Sequence, residues 1–357
     1  MRRLSFTHLL AFVALGAVTP AASLSAGPLQ VYGAWHCSND ACTWGAPRTV
    51  AEFDAMNHWL VDRGDGRPSV NLVVLSFVQP LKLLNQTTDT TTLNGVPRGM
   101  TPEIVNYFTS RNVRVMLSIG GITYVDAWNQ AMARDATLLG LRAAQVATQL
   151  GVGIEIDYEE NTNPNLAGLQ AFITAYRSVI PYDATGTNAS ARLTIDLAAG
   201  DRWLIDIGRK ATGDWLRTNV PVLDYANAMV PARQPSTDKA IASWKEHIDG
   251  KPQYAPPYLP LAPAKFTAGL YLAGSTRVRP ECNNFATSLQ KSTGTFVQTA
   301  APNGAGTTAG LLGYMFWAAE RPSKGVTTQP PNTCQGGVGV GATTYGIPVP
   351  MPALRQQ

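Results

Sequence analysis

Eight runs of apolar and β-branched residues punctuate the chain, each bounded by polar or glycine-rich segments. They are LQVYGAW (29–35), SVNLVVLSF (69–77), VRVMLSIGG (113–121), VGIEIDY (152–158), RLTIDLA (192–198), VLDYANAMV (222–230), KFTAGLYLAG (265–274) and GLLGYMFW (310–317). Runs of this length and composition predict buried strands. Residues 126–150 and 165–180, which lie between runs, space Ala and Leu at helical intervals. Strand alternating with helix predicts a parallel sheet. Eight such units in roughly 330 residues fit an α/β fold in one domain, a (β/α)8 TIM barrel. An open doubly wound sheet would have a similar element count, but no G-x-G-x-x-G follows the first run, which disfavours a dinucleotide site. The glycine-rich run GGVGVGATT (336–344) has the wrong spacing for one and is read as a flexible loop.

The fourth run changes the picture. Val152, Ile154, Ile156 and Tyr158 take one side of the strand alternation, which leaves Glu155, Asp157 and Glu159 together on the other. For an isolated strand, a solvent-facing edge would explain the row. Inside a barrel the same parity points inward, and carboxyls two residues apart in a low-dielectric interior repel one another, so at least one keeps its proton near neutral pH. A carboxyl that keeps its proton is suited to general acid catalysis.

The ends of the chain set the domain plan. Residues 1–26 have a basic start (Arg2, Arg3), an apolar run from Leu9 to Val18 and then small residues, the order of a secretory signal peptide. The apolar run is too short to span a bilayer, so a secreted protein, extracellular or periplasmic, is expected, with no membrane partner. Residues 27–320 make up the expected barrel. Residues 321–357, rich in Pro, Gly, Thr and Gln, are expected to be an extended tail packed on it. The stretch from 274 to 310 is long enough to be an inserted loop.

The 357 residues are 45% hydrophobic and 15% charged, with a net charge of +4. That composition supports one large core, and with no basic cluster it argues against nucleic acid as a partner. Four cysteines suit an oxidising compartment. Cys37 and Cys42 could close a small loop after the first strand, leaving Cys282 and Cys334, although three pairings are possible in principle. His36, His58 and His247 are too scattered for a zinc site, so no metal and no cofactor are expected.

At this point the sequence resembles glycoside hydrolase family 18, the chitinases and their relatives, which are (β/α)8 barrels. The family's fourth-strand signature is D-G-x-D-x-D-x-E, and VGIEIDYE (152–159) stands in its place. SIGG (118–121) is similar to the third-strand motif, LDYANAM (223–229) to the sixth-strand motif, and GYMFWA (313–318) to the eighth strand with its tryptophan. The pieces keep the family's order across about residues 29–320.

The resemblance implies retaining hydrolysis of β-1,4-linked N-acetylglucosamine glycans such as chitin, with the substrate's own acetamide as nucleophile. It implies Glu159 as general acid and then base, Asp157 as the group that orients the acetamide, and Glu155 as their acidic neighbour. Trp317 would be the apolar floor under the sugar, and Met229 would contact substrate at the end of the sixth-strand motif. Tyr32, Trp35 and Tyr124 sit near strand ends where sugars could stack, although packing accounts for each equally well. Trp128 and Trp203 carry the same two readings. Asp196, in TIDLAA, could line the cleft or pair with a cation.

Three departures stand out. The signature's first Asp is Val152 and its second is Glu155, from which altered pH dependence is expected. Pro231 stands where the sixth strand's tyrosine would hold the acetamide carbonyl, and Arg233 follows in the same segment. Losing such a donor can cost on the order of 3 kcal/mol in the transition state. Two alternatives therefore remain: a carbohydrate-binding barrel without catalysis, or an endo-β-N-acetylglucosaminidase acting on N-glycans or peptidoglycan. A monomer is expected.

Overall fold

The computed structural model describes residues 29–39, 49–200, 203–229, 236–272, 293–301, 309–319 and 335–354. The eight apolar runs become the eight strands of a closed barrel: β1 (Val31–Cys37), β2 (Leu72–Val78), β5 (Arg114–Gly120), β6 (Gly153–Asp157), β7 (Leu193–Leu197), β8 (Ala226–Ala228), β9 (Phe266–Tyr271) and β10 (Gly313–Trp317). Every pairing around the ring is parallel, and β1 closes it against β10. The fold is the single-domain (β/α)8 barrel expected from the alternation.

Helices surround the ring: α1 (Val50–Asn57), α2 (Pro80–Asn85), α3 (Pro102–Thr109), α4 (Val125–Leu150), α5 (Leu166–Val179), α6 (Ile205–Lys210), α7 (Thr237–Asp249), α8 (Gly294–Thr299) and α9 (Gln335–Thr344). Local chemistry sets several of their ends. Thr49 and Glu52 form a reciprocal capping box on α1, and the Thr101 hydroxyl caps α3, whose first position is Pro102. Gly151 in the left-handed region ends α4 and turns the chain directly into β6. Among the described residues no helix is long and apolar enough to cross a membrane.

Two apolar layers follow from strand parity. Val152, Ile154, Ile156 and Tyr158 join the layer between sheet and helices. A smaller inner cluster fills the lower barrel, where Val31, Leu72, Val74, Met116 and Tyr225 meet Met351 and Leu354 from the C-terminal segment. That segment therefore closes the N-terminal end of the barrel and leaves the opposite end for the polar residues.

Two local features differ from the run-based expectation. Residues 92–97 form a small antiparallel hairpin, β3 (Thr92–Leu93) with β4 (Val96–Pro97). Its turn residues Asn94 and Gly95 both have positive φ, and an Asn-Gly dipeptide is a strong hairpin signal. The glycine run 336–344, read from sequence as a loop, lies within helix α9. Glycine disfavours helix by about 1 kcal/mol per residue, so packing decides the outcome here. Val338 and Ala342 are buried, the Tyr32 hydroxyl donates to Val338 O (2.8 Å), and Gly339 sits so close to Arg63 that a Cβ would stand 3.1 Å from the Arg63 Cβ. Beyond the helix, Asn71 Nδ2 donates to Pro348 O (2.9 Å), which fastens the segment to the start of β2.

Candidate active site

The carboxylate row lies where parity places it. Glu155 (0% exposed) and Asp157 (4%) point into the barrel, and Glu159 is half-buried just beyond the C-terminal end of β6, the end at which barrel enzymes hold their active sites. Val152 belongs to the helix-side layer, so the missing first carboxyl of the signature leaves no gap in the row.

Each acid has distinct partners. Glu155 is held from both sides: Trp35 Nε1 donates to its Oε1 (2.8 Å) and Asn227 Nδ2 to its Oε2 (2.6 Å). Thr267 Oγ1 in turn donates to Asn227 Oδ1 (2.7 Å), which fixes the amide. Ser118 is the register partner of Glu155 on β5. Asp196, 2% exposed on β7, hydrogen-bonds Glu155 from the other flank. One layer higher, the peptide oxygen of Asp157 accepts from Gly121 N (3.0 Å) and Trp128 Nε1 (3.1 Å). The Asp157 carboxyl hydrogen-bonds Glu159, which also accepts from the Ile122 N–H.

Burial dominates the electrostatics. It raises the Glu159 carboxyl to about 7, against the pull of the Ile122 N–H and the Asp157 hydrogen bond. Asp157 lies well above the usual carboxylate range, first from burial and then from the charges of Glu159 and Glu155. Burial also raises Glu155 despite its donors, and raises Asp196 further with the help of the Glu155 charge. Asp157 and Glu159 thus titrate as a pair that retains a proton at neutral pH.

Aromatic residues line the opening unevenly. Trp317, half-buried at the end of β10, packs on the inner cluster and stacks on Phe77, with ring centroids 5.7 Å apart and planes 26° from parallel. Cis peptide bonds occur at Ser76–Phe77 and Trp317–Ala318. Phe77, the half-buried stacking partner of Trp317, is a residue that the sequence reading passes over. Its signal was its place at the end of the second run, two strands along the ring from Trp317. Tyr124 lies half-buried on the loop after β5, and its hydroxyl accepts from Asn39 Nδ2 (3.1 Å). Met229 follows β8, half-buried, and its N–H bonds Leu197 O (2.6 Å).

Two expected sugar contacts have other places. Tyr32 is three residues from Trp35 and so faces the other side of β1; it is fully buried against Tyr314, Phe316 and Tyr345. It is a packing residue beneath α9, and not a substrate contact. Trp35 does face the interior, but it is buried and its indole is committed to Glu155. Trp128 is likewise buried and holds the strand carrying Asp157. Cys37 ends β1, while Cys42, Cys282, Cys334, Pro231 and Arg233 lie outside the described residues.

Comparison with known proteins bears on the fold. A GH18 chitinase from Pseudoalteromonas aurantia superposes with a TM-score of 0.52 at 12% identity, covering 81% of this chain and 93% of that one. A mutant GH18 chitinase from Cycas revoluta in complex with (GlcNAc)4 gives 0.51 at 12% identity, covering 88% and 99%. The chain has the family 18 chitinase fold. No family model matches the sequence, and no curated protein matches it either. At this identity the family 18 likeness is one of architecture, and the acids have to be judged by their own surroundings.

Proposed function

We propose that the protein is a secreted, chitinase-like glycoside hydrolase that cleaves β-1,4-linked N-acetylglucosamine glycans with retention of configuration. The observation that carries this reading is the hydrogen-bonded Asp157–Glu159 pair at the open end of the barrel, with Glu159 held protonated to about pH 7. Glu159 would give its proton to the glycosidic oxygen as the bond to the anomeric carbon breaks. The carbonyl oxygen of the substrate's acetamide would form the new bond to that carbon, giving an oxazolinium-like intermediate. With the one proton of the pair on Glu159, Asp157 would be left as the carboxylate that holds the acetamide N–H and balances the positive charge. Glu159, now ionised, would take a proton from the incoming water, which opens the intermediate and restores the acid. Trp317 and Phe77 offer an apolar surface for the C–H face of the sugar ring. The composition of residues 1–26 supports export, and export supports disulfides among Cys37, Cys42, Cys282 and Cys334.

The competing reading is a barrel that binds the same glycans without cleaving them, favoured by Pro231 at the position where a tyrosine donor is expected. Hydrolysis of soluble N-acetylglucosamine oligomers separates the two. The expected result is turnover whose alkaline limb lies near pH 7, because Glu159 has to be protonated, and whose rate disappears in Glu159→Gln. Binding without turnover in both proteins would establish the competing reading. A panel of chitin oligomers, N-glycans and peptidoglycan fragments then ranks the substrates.

A further inference from the structure

Asp196 has no counterpart in the signature row, yet the barrel brings it to the deepest acid. It lies on β7 in register with Asn227 on β8, and Asn227 donates to Glu155. The Glu155 register partner on β7 is Thr194, one inward position below Asp196. Four carboxyls therefore share the interior as two hydrogen-bonded pairs, Glu155 with Asp196 and Asp157 with Glu159.

An ionised carboxylate has only acceptor oxygens, so two carboxyls in hydrogen-bond contact need a proton between them. The neighbours of the lower pair show which member carries it. Glu155 receives N–H donors on both oxygens, from Trp35, whose indole can only donate, and from Asn227, whose oxygen is already occupied by Thr267. These contacts favour the anion. Asp196 Oδ1 is buried and meets no donor. A proton on Asp196 lets both Glu155 oxygens keep their N–H donors and leaves the unpartnered Oδ1 a neutral carbonyl oxygen, while a proton on Glu155 weakens the contact at the oxygen that carries it and leaves Asp196 an anion with Oδ1 unpartnered.

We propose that Asp196 is a positioning residue for the hydrolysis: it stays protonated and donates to Glu155, fixing Glu155 as the anionic acceptor beneath Asp157. The groups facing it are Glu155, Asp157 and Glu159 from β6 and its extension, Asn227 from β8 and Thr194 below it on its own strand. The three charges acting most strongly on Asp196 are all carboxylates, so a second anion at this position would raise every acid in the row. A neutral Asp196 spares the row that charge and supplies a further donor to Glu155.

The kinetic consequence rests on the proposed glycosidase activity, but the protonation state does not, and the test uses both. Infrared difference spectra at neutral pH, wild type against Asp196→Asn, should show the loss of one protonated-carboxyl stretching band. In oligosaccharide hydrolysis, Asp196→Ala should lower kcat about tenfold with KM nearly unchanged. Its acid limb should move to higher pH, because Glu155 without the Asp196 donor protonates more easily. Asp196→Asn, whose amide supplies an N–H, should recover most of the rate and return the limb. A persisting band in Asp196→Asn, or a limb displaced as far by Asn as by Ala, would overturn the proposal. So would an Asp196→Asn protein that fails to fold, since the amide is isosteric with the neutral acid. A wild-type protein without hydrolysis would remove the enzymatic reading while the infrared band still decides Asp196.

Discussion

Replacing Asp157 with Asn is expected to lower kcat by about a hundredfold to a thousandfold while KM for oligomers of N-acetylglucosamine changes little. The amide fits the same space and can still contact Glu159, so the fold should be preserved. It cannot supply negative charge, however, and charge is needed only as the anomeric carbon and acetamide become positive. Losing a contribution made in the transition state alone reduces kcat and leaves ground-state binding in place. Steady-state kinetics on soluble oligomers, with binding measured separately by calorimetry, make the distinction. A large rise in KM at constant kcat would show Asp157 to be an ordinary binding residue.

The second large effect is structural and lies on the neighbouring strand. Gly120 has φ of 122°, a conformation that L side chains rarely adopt, and it is in register with Asp157. A Cβ at this position would overlap the Asp157 peptide oxygen and the Trp128 indole nitrogen. Neither can retreat easily, because that oxygen already accepts from Gly121 N and Trp128 Nε1. Gly120→Ala is therefore expected to destabilise the protein by about 3 kcal/mol or more and to displace Asp157. Urea denaturation should show the lower midpoint, and any folded fraction should hydrolyse poorly. Wild-type stability in Gly120→Ala would show that β5 and β6 do not approach as closely as described.

How much of this was legible in the sequence depends on whether the cause was local. All eight barrel strands correspond to apolar runs, because burial on both faces demands continuous β-branched and apolar residues. The sixth barrel strand is trimmed to Ala226–Ala228 from a run predicted over 222–230, and part of the difference has a local cause. The Asp224 N–H still donates to Leu193 O, but its carboxyl, held also by Arg177, takes the Leu193 N–H that a strand carbonyl would otherwise accept. Helix α9 was not legible, since its glycines argue against a helix and only contacts with Tyr32, Arg63 and Ser69 explain them.

The site divides in the same way. Parity along one strand was enough to align Glu155, Asp157 and Glu159. Parity could also have separated Tyr32 from Trp35, which stand three residues apart on β1 and so cannot share a face. The meeting of Asp196, Asn227 and Trp35 around Glu155 could not be read, because it depends on the register between strands far apart in sequence. The same barrel geometry explains why Val152 departs from the signature without disturbing the acids, since that position faces the helices.

Nuclear magnetic resonance of the newly formed reducing end, recorded within the first minutes of cleaving a tetramer of N-acetylglucosamine, bears most directly on the Asp157–Glu159 pair. Attack by the substrate's own acetamide followed by water predicts the β anomer first, with the α anomer growing in only as the sugar equilibrates. Initial release of the α anomer, or no cleavage by the wild-type protein at any pH below 7, would contradict the account.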